Sequence, residues 1–294
     1  EPRLREVAEL LEAGKHPSQP FDAAAMAAPL PRAYHWVAGS AYVNYLELVS
    51  QAVGPKLTAT MWADPLIYQG GSDTLLGPCD DMVFESTDWG IDFEAEYAII
   101  TDDVAMGITA EQAKKHIILF MLVNDISLRN LAAAEQAKGF GLYQSKPPSA
   151  FSPVAVTADE LGSAWDGQKL HLPILTSFNG KAFGRAEAGI DMGFDLPTVL
   201  AHAVKTRRLG AGTIVGSGTV SNRVVAAKRA PIEEGGVGHS SIGEQRMVET
   251  IELGAPRTPF MKFGDRVRIE MLDRSGASIF GAIDQKLRRY EPSV

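Results

Sequence analysis

Carboxylates alternate with other residues along one short segment of the chain. Asp92, Glu94 and Glu96 are separated by single residues, and Phe93 and Tyr97 occupy the alternate positions. If this segment is a β-strand, the three acids share one face, because successive strand side chains point to opposite sides. Crowded like charges raise one another's pKa, so such a face is tolerated where it is solvated or where a cation lies among the acids. The pattern therefore predicts either a polar outer face or a cation site.

A further acid follows the apolar run at residues 120–123, which ends abruptly in Asn124 and Asp125. An acid at the end of a buried strand is costly unless it is paired or binds a cation. One interpretation is a turn or cap acid paired with Arg129. Combined with the acids of the preceding segment, Asp125 instead completes an oxygen-only site. Such a site suits Mg²⁺, Mn²⁺ or Ca²⁺ and does not suit zinc.

Local signals indicate the elements that must position these side chains. Thr109 and Gln112 form a capping-box pattern, which predicts a helix over 109–119. A second helix is predicted over residues 196–208, and Asn179-Gly180 predicts a hairpin turn. From about residue 150 onward, short apolar runs are separated by Gly, Pro and Asn. The chain is therefore predicted to be α+β and β-rich.

Bulk properties exclude several classes of function. The chain has 294 residues, of which 45% are hydrophobic, and it lacks an apolar stretch of the length that spans a membrane. A net charge of -8 argues against a nucleic-acid partner, and it would also repel an anionic substrate unless local basic groups overcome it. The single cysteine, Cys79, excludes an internal disulfide and fits a reducing compartment, with the cytoplasm as the expected location.

The order of these motifs resembles that of the fumarylacetoacetate hydrolase family. The ordered set comprises Asp-x-Glu-x-Glu at 92–96, a helix, Asn-Asp-x-Ser-x-Arg at 124–129, a lysine, and Ser-Gly-Thr at 217–219. The resemblance implies a mixed β-sandwich roll of the type of the family's C-terminal domain, and a homodimer. The helical periodicity of Leu4, Val7, Leu10 and Leu11 predicts an N-terminal helical arm. With the resemblance, the expected division is a helical arm and lid region over residues 1–60, followed by a catalytic domain over 61–294.

The resemblance implies roles for the acids and for a lysine. Glu94, Glu96 and Asp125 would hold a divalent cation, Mg²⁺ or alternatively Mn²⁺ or Ca²⁺. Lys146 matches the family's catalytic lysine, and the adjacent Pro-Pro would hold it in place. Lys138 is the rival for the same role.

Substrate contacts are implied as well. Gly218 and Thr219 match a loop whose backbone amides and hydroxyl hold a substrate carboxylate, since glycine lets a backbone approach a ligand closely. A simple tight turn between strands is the alternative interpretation. Tyr68 matches a tyrosine that reaches the substrate, although an ordinary core aromatic is equally compatible, and Arg129 is assigned to the substrate site.

The region that carries the family's catalytic histidine departs from the pattern. Asn44-Tyr45 is present, but in one alignment Leu48 and Gln51 replace the histidine and glutamate. In the other alignment Tyr45 occupies the histidine position and Glu47 is retained. Neither alignment contains a histidine.

Other residues are therefore candidates for the base that activates water. Glu47 and Glu244 are favoured, and His35 and His239 are alternatives because both lie in loops that could reach a site. His116 lies on a predicted helix and is expected to be structural.

The resemblance implies a divalent-metal-dependent hydrolase that cleaves a carbon–carbon bond in β-diketo acids, such as acylpyruvates, fumarylpyruvate or fumarylacetoacetate. A keto acid is then the expected small-molecule partner. The same chemistry serves decarboxylation of oxaloacetate and isomerisation of dienoates, for which no attack by water is needed. A catalytically silent, metal-binding member of the family is a third possibility.

Overall fold

The computed structural model describes residues 2–54, 57–223 and 231–292. The strands are β1 (Trp36–Gly39), β2 (Ile67–Gln69), β3 (Met82–Phe84), β4 (Ile91–Asp92), β5 (Ala95–Thr101), β6 (Ile117–Asn124), β7 (Ser127–Leu128), β8 (Ala150–Phe151), β9 (Pro173–Phe178), β10 (Lys181–Glu187), β11 (Ile214–Gly216), β12 (Arg266–Glu270) and β13 (Ile283–Arg289). The α-helices are α1 (Pro2–Glu12), α2 (Val43–Val53), α3 (Thr60–Ala63), α4 (Ala110–Ala113), α5 (Arg129–Gln136), α6 (Ala158–Leu161), α7 (Leu196–Ala203) and α8 (Ile242–Leu253).

Two mixed sheets form the body of the molecule. The first contains six strands in the order β2-β1-β11-β5-β6-β8, and the second contains five in the order β10-β9-β12-β13-β3. Each sheet has one parallel pair, β1 with β11 and β13 with β3, among antiparallel neighbours. Strands β4 and β7 form a separate two-stranded ladder. The predicted β-rich α+β fold is confirmed.

Strand β5 is buried on both faces, and its side chains alternate as predicted. Tyr97 and Ile99 belong to the large core that also contains Val267 and Ile269 of the second sheet. Ala98 and Ile100 face the opposite side, where they join a smaller apolar cluster around Trp36. Glu96 belongs to this second face, because strand side chains alternate with a period of two. Its carboxylate therefore lies away from the core between the sheets.

The predicted helix over 109–119 is too long. The capping box is present, since the Thr109 hydroxyl accepts from the amide of Gln112 at 3.2 Å and the Gln112 side chain accepts from the amide of Thr109 at 2.9 Å. However, α4 ends at Ala113, a 3-10 turn follows, and β6 begins at Ile117. From Ile117 onward the backbone N–H and C=O groups pair with β5 and β8, so they are not available to continue the helix.

Two other predicted elements are also shorter than expected. The helix over 196–208 ends at Ala203, because the chain turns back to pair Leu209 with Val104 through two backbone hydrogen bonds. The strand predicted through the alternating acids is interrupted at residues 93 and 94, between β4 and β5. The acids therefore do not follow one continuous strand.

The hairpin prediction is confirmed. Strands β9 and β10 pair antiparallel around Asn179 and Gly180, which have φ angles of 52° and 77°. Two consecutive positive φ angles characterise the turn that matches the twist of a hairpin, and Asn-Gly is the sequence that adopts it most readily.

The N-terminal region contributes to the main sheet. Strand β1 pairs with β11 at its centre, and α2 packs against α8. Residues before 60 are therefore part of the same sheet as the acidic segment, while the predicted domain boundary at residue 60 stays a prediction. The periodic segment at the N-terminus does form a helix, α1, and none of its side chains is buried. Among the described residues, no helix has both the length and the apolar character needed to cross a membrane.

Candidate active site

Three carboxylates meet at the edge between β5 and β6. Glu94 precedes β5, Glu96 lies on β5, and Asp125 directly follows β6. The antiparallel register places Ala95 opposite Asn124, so the beginning of β5 lies beside the end of β6. One oxygen from each of the three carboxylates lies within 4.8 Å of the others, and all three residues are buried. The structure therefore brings together the three acids predicted to hold a cation.

Asp92 does not join this cluster. Its carboxylate accepts hydrogen bonds of 2.8 Å from the amides of Ile242 and Gly243 and one of 2.9 Å from Nε of Arg129. The two amides belong to the first turn of α8, where unpaired N–H groups and the helix dipole favour a negative charge. The interruption after β4 directs Asp92 to this helix, so one of the alternating acids anchors α8.

Lys146 lies between two of the clustered acids. Its Nζ is 2.6 Å from Oε2 of Glu94 and 2.9 Å from Oδ2 of Asp125, and it lies 5.2 Å from the centre of the Tyr68 ring. Burial alone would lower the pKa of Lys146, but Asp125 and Glu94 outweigh it and raise the pKa. Lys146 is therefore held as an ammonium ion. The rival lysine, Lys138, is exposed beyond the end of α5.

Arg129 links the acids to α2. Its Nη2 donates to Glu94 at 2.6 Å and to the hydroxyl of Tyr45 at 3.0 Å, while its Nε bonds Asp92. Asp125, to which the sequence offered Arg129 as a partner, instead accepts from Tyr68 at 2.5 Å, from Lys146 and from Ser149 at 3.0 Å. The guanidinium is thus committed to protein groups.

The two glutamates of the cluster differ in their environments. Burial would raise the pKa of Glu94, but Lys146 and Arg129 lower it to about 2. Glu96 is compensated less: burial, followed by the charges of Asp125 and Glu94, raises its pKa well above the ordinary value, although the charge of Lys146 opposes this rise. Within the described ranges, its carboxylate accepts one hydrogen bond, of 3.1 Å, from the amide of Gly218. Glu96 is therefore a buried acid that makes no direct ion pair with a described residue.

The charge balance of the cluster fits a divalent cation. Asp92, Glu94, Glu96 and Asp125 are the acids, and Arg129 and Lys146 are the only cationic side chains bonded to them within the described residues. When all are ionised, the carboxylates carry two more charges than the cations offset. Oxygen ligands are those that Mg²⁺, Mn²⁺ and Ca²⁺ prefer. The donor set therefore suits such an ion at Glu94, Glu96 and Asp125.

A cavity of about 230 Å³ opens onto these carboxylates. Tyr68, Arg129 and Lys146 line it beside the acids, and Gly218 and Thr219 line it from the loop after β11. This loop passes close to the backbone of β1, since Gly218 has a φ of +80° and an added Cβ would lie 2.3 Å from the carbonyl oxygen of Gly39. All four residues predicted to contact substrate thus line one cavity with the predicted metal ligands.

Replacing Gly218 by alanine is expected to disrupt this loop. A positive φ costs a non-glycine residue about 1–2 kcal/mol, and the clash with the Gly39 carbonyl adds to it. Gly212→Ala is the matched control, because Gly212 has a φ of +85° but the nearest atom to an added Cβ is 3.9 Å away. In urea denaturation, we expect Gly218→Ala to lower the free energy of unfolding by at least about 2 kcal/mol more than Gly212→Ala does. Equal losses would show that the close approach at Gly218 is unimportant.

Helix α2 decides which of the two alignments of the departing region applies. Tyr45 lines the cavity and contacts Arg129, whereas Leu48 is buried and is absent from the cavity wall. Tyr45 therefore occupies the position that faces the acids. Burial raises the pKa of its hydroxyl, which stays protonated.

The candidate bases lie outside the cavity wall. Glu47 bonds Nε of Arg223 at 3.1 Å. Glu244 accepts from the hydroxyl of Ser221 and, at 3.0 Å, from the amide of Ser240. Nδ1 of His239 lies 3.8 Å from Oε2 of Glu244, so these two groups form a buried pair behind the loop that carries Thr219.

The chain's histidines all lie within the described ranges, and none of them lines the cavity. His35 stacks on Tyr34, and burial lowers its pKa. His116 lies 2.6 Å from Asp102 at the end of the 3-10 turn that follows α4. The role expected for each of these residues stays a prediction.

Sequence reasoning missed Glu135, which organises the segment before Lys146. Its carboxylate accepts from the amides of Tyr143, Gln144 and Ser145 at 3.2, 2.7 and 2.9 Å, and from the Ser145 hydroxyl at 2.5 Å. No spacing rule links a glutamate at the end of a helix to this turn, because the contact forms only when the chain folds back. Glu135 therefore holds the turn from which Lys146 projects.

Glu135→Gln is expected to destabilise the protein in a pH-dependent manner. Burial opposes ionisation, but the hydrogen bonds from Ser145, Gln144 and Tyr143 together outweigh it and lower the pKa of Glu135 from 4.5 to about 2. A carboxyl whose pKa is lower in the folded protein stabilises it at pH values above the pKa of the unfolded state. This stabilisation is lost as the pH falls towards the pKa of the folded state. We expect Glu135→Gln to lower the free energy of unfolding by about 1 kcal/mol at pH 7, a value limited by solvent screening, and by less at pH 3.

Urea denaturation at both pH values measures this difference. Glu160 is an exposed acid on α6, and Glu160→Gln is the control. It should change the free energy of unfolding by the same small amount at pH 7 and pH 3. A loss for Glu135→Gln that does not change with pH would contradict the assignment.

Comparisons with known proteins agree with this architecture. Residues 35–288 match the family model described as fumarylacetoacetate (FAA) hydrolase C-terminal. An uncharacterized protein from Archaeoglobus fulgidus is 23% identical over 207 residues, which cover 70% of this chain and 73% of that protein. Another from Pyrococcus abyssi is 26% identical over 159 residues, covering 53% of this chain and 68% of that protein.

Solved structures share the fold. The fumarylacetoacetate hydrolase from psychrophilic Exiguobacterium antarcticum has a TM-score of 0.59 at 18% identity, covering 90% of this chain and 78% of that chain. The 2-hydroxyhepta-2,4-diene-1,7-dioate isomerase from Mycobacterium marinum has a TM-score of 0.57 at 18% identity, with the same coverage. At this identity the likeness concerns the fold, whereas the family model spans most of the chain. This protein therefore belongs to the fumarylacetoacetate hydrolase family.

Proposed function

We propose that this protein is a divalent-cation-dependent enzyme that acts on 2-oxo acids by stabilising the negative charge of an enolate. The observation that carries the proposal is the cluster of Glu94, Glu96 and Asp125 beside Lys146 at one end of a small cavity. Perturbed carboxylates and a buried lysine that converge on a cavity are typical of catalytic sites.

Each group has a part in this proposal. Glu94, Glu96 and Asp125 would hold the cation, which when bound supplies Lewis acidity and a template for neighbouring substrate oxygens. Gly218 and Thr219 would bind the substrate carboxylate. Lys146, which stays protonated, would face the oxygen on which charge develops and stabilise it by a charge-assisted hydrogen bond. Its raised pKa favours this role over that of a general base.

The composition of the cavity wall favours reactions that need no attack by water. Outside the cation cluster, no carboxylate or histidine lines the cavity among the described residues, and the segments 55–56 and 224–230 contain neither residue type. Tyr45, in the position that faces the cluster, has a raised pKa and is a poor base. Isomerisation of a dienoate or decarboxylation of a β-keto acid such as oxaloacetate is therefore the reaction class we favour.

Hydrolysis of a carbon–carbon bond in β-diketo acids is the second candidate. The observation in its favour is the buried pair of His239 and Glu244, which Ser221 links to the loop carrying Thr219. If this loop shifts when substrate binds, the pair could activate a water molecule. The shared fold of the isomerase and the hydrolase described above is compatible with either reaction.

Product analysis with Mg²⁺ and with EDTA tests the proposal. Acetylpyruvate, oxaloacetate and a 2-hydroxydienoate are offered separately, and pyruvate, carbon dioxide and the isomerised product are quantified. Metal-dependent conversion of oxaloacetate or the dienoate, without release of pyruvate from acetylpyruvate, is the expected result. Release of pyruvate and acetate from acetylpyruvate would establish the second candidate. No metal-dependent conversion of any of the three would overturn the proposal and favour a silent binding role.

We also propose a homodimer, because the family resemblance implies one. Light scattering coupled to size-exclusion chromatography tests this directly. A mass near twice 31.6 kDa is the expected result, and a monomeric mass at micromolar concentration would contradict it.

A further inference from the structure

The cavity wall has two chemically distinct parts. The cation cluster, Lys146 and the Gly218 loop form the polar part, while aliphatic side chains from α2 and two loops form the other part. Leu46 and Val49 lie three residues apart on α2 and therefore share one face of the helix. Leu66 precedes β2, and Leu142 lies in the turn before Lys146. A ligand bound at the carboxylates therefore has aliphatic side chains within the same cavity.

The cationic groups that line the cavity are already committed. Arg129 bonds Asp92 and Glu94, and Lys146 bonds Glu94 and Asp125. No other lysine or arginine among the described residues lines the cavity wall. Among the described residues, the wall therefore offers no free cation to a second negative charge on a substrate.

The phenolic hydroxyls in the wall are also committed. Tyr42 donates to the carbonyl of Ala188 at 2.6 Å, and Tyr68 donates to Asp125. The Tyr45 hydroxyl accepts from Arg129. Ser40, Gln136 and Thr219 are the remaining polar side chains of the wall, and all three are uncharged.

We propose that this site selects 2-oxo acids whose far end is a short, uncharged hydrocarbon group, and that it discriminates against analogues of the same length that carry a second carboxylate at this far end. The inference rests on the proposed function, since it assumes that the 2-oxo acid end meets the cation cluster. It narrows the substrate class, because the resemblance to the family admits both acylpyruvates and dioates.

Solvation decides the selectivity. A carboxylate moved from water against leucine and valine loses hydration that the wall does not replace. A methyl group in the same place is favoured, because burial of each methylene contributes about a fourfold gain in affinity. The overall charge of -8 acts in the same direction by disfavouring a dianion.

The size of the cavity limits the length of the hydrocarbon group. About 230 Å³ is below the range of about 300–1,000 Å³ typical of pockets for drug-sized ligands. A few carbons beyond the 2-oxo acid therefore fill it.

A matched pair of ligands tests the proposal by isothermal titration calorimetry on the Mg²⁺-loaded protein. 2-Oxohexanoate and 2-oxoadipate share the 2-oxo acid end and the number of carbons, and they differ in a terminal methyl against a terminal carboxylate. We expect 2-oxohexanoate to bind at least about tenfold more tightly. Equal affinities, or tighter binding of 2-oxoadipate, would overturn the inference.

Oxalate separates failure of this inference from failure of the proposed function. It carries the chelating end without a tail, so it should bind the Mg²⁺-loaded protein whatever the tail preference. Oxalate binding with no preference between the pair would overturn the selectivity alone. If neither oxalate nor either 2-oxo acid binds, both the proposed function and the inference are wrong.

Leu46→Lys provides a second, independent test. Leu46 is half-buried, so a lysine there can present its ammonium group to the cavity while its stem packs on the wall. We expect 2-oxoadipate to bind about threefold to fivefold more tightly to this variant than to the unaltered protein, and 2-oxohexanoate to bind no more tightly. Leu46→Met is the matched control and should keep the original preference. Unchanged binding of 2-oxoadipate by a folded Leu46→Lys variant would contradict the assignment of Leu46 to the far end.

Discussion

Replacing Glu96 by glutamine is expected to stabilise the metal-free protein while abolishing its stabilisation by Mg²⁺. Glu96 is buried beside Glu94 and Asp125, and within the described residues its carboxylate accepts one hydrogen bond, from the backbone amide of Gly218. Neutralising an acid in that position removes repulsion and desolvation without breaking an ion pair. We expect the free energy of unfolding of the metal-free protein to rise by about 1–3 kcal/mol.

Mg²⁺ should stabilise the unaltered protein but not the Glu96→Gln variant. A ligand present at 100 times its dissociation constant stabilises a folded protein by about 2.7 kcal/mol, and the variant should lose this gain because a ligand of the ion is missing. Urea denaturation with EDTA and with Mg²⁺ measures both effects, and calorimetry measures Mg²⁺ binding directly. Glu252→Gln, an exposed acid on α8, is the control and should change neither.

Two outcomes would contradict the assignment. A variant that is less stable than the unaltered protein in EDTA would mean that a group outside the described residues stabilises the Glu96 carboxylate. A variant that keeps its Mg²⁺ affinity would place the cation elsewhere.

Replacing Lys146 by methionine is expected to have the largest effect on stability and turnover together. Its ammonium group contacts Glu94 and Asp125, and both acids are buried. Removing one partner of a buried ion pair leaves an uncompensated charge and costs about 3–5 kcal/mol. Turnover should fall by about 10²–10³, because the group that faces the developing charge is lost.

Lys138→Met is the matched control for this prediction. The two lysines flank the same turn, but Lys138 is exposed. We expect Lys138→Met to leave turnover unchanged and to keep the free energy of unfolding within about 0.5 kcal/mol of that of the unaltered protein. Mg²⁺ should restore part of the stability of Lys146→Met, since it supplies positive charge to the same acids. Loss of turnover in Lys138→Met with retention in Lys146→Met would reverse the assignment of the lysine.

Local rules were sufficient wherever a short segment determines its own conformation. Asn179-Gly180 forms the predicted hairpin because these residues tolerate the positive φ angles of the turn. The alternation along β5 is present because a strand has a period of two whatever its partners. The Thr109 cap is also present, since both of its hydrogen bonds lie within four consecutive residues.

Local rules failed wherever a distant partner competes. The cap at Thr109 does not determine the length of α4, because the backbone of β6 gains its hydrogen bonds from β5 and β8. Asp92 and Glu94 look equivalent in the sequence, yet amides of α8 bind the first. Only the interruption between β4 and β5 separates their roles.

The sequence by itself determined which side chains are available for chemistry: three clustered acids, a lysine beside Pro-Pro, a Ser-Gly-Thr loop, and no histidine in the region of α2. The tertiary structure decided how they combine. It directed Tyr45 to the cavity and Glu47 to Arg223, and it joined Glu135 to the turn before Lys146. The physical reason is that these contacts join residues on different elements, so their geometry exists only once sheet pairing and helix packing have brought those elements together.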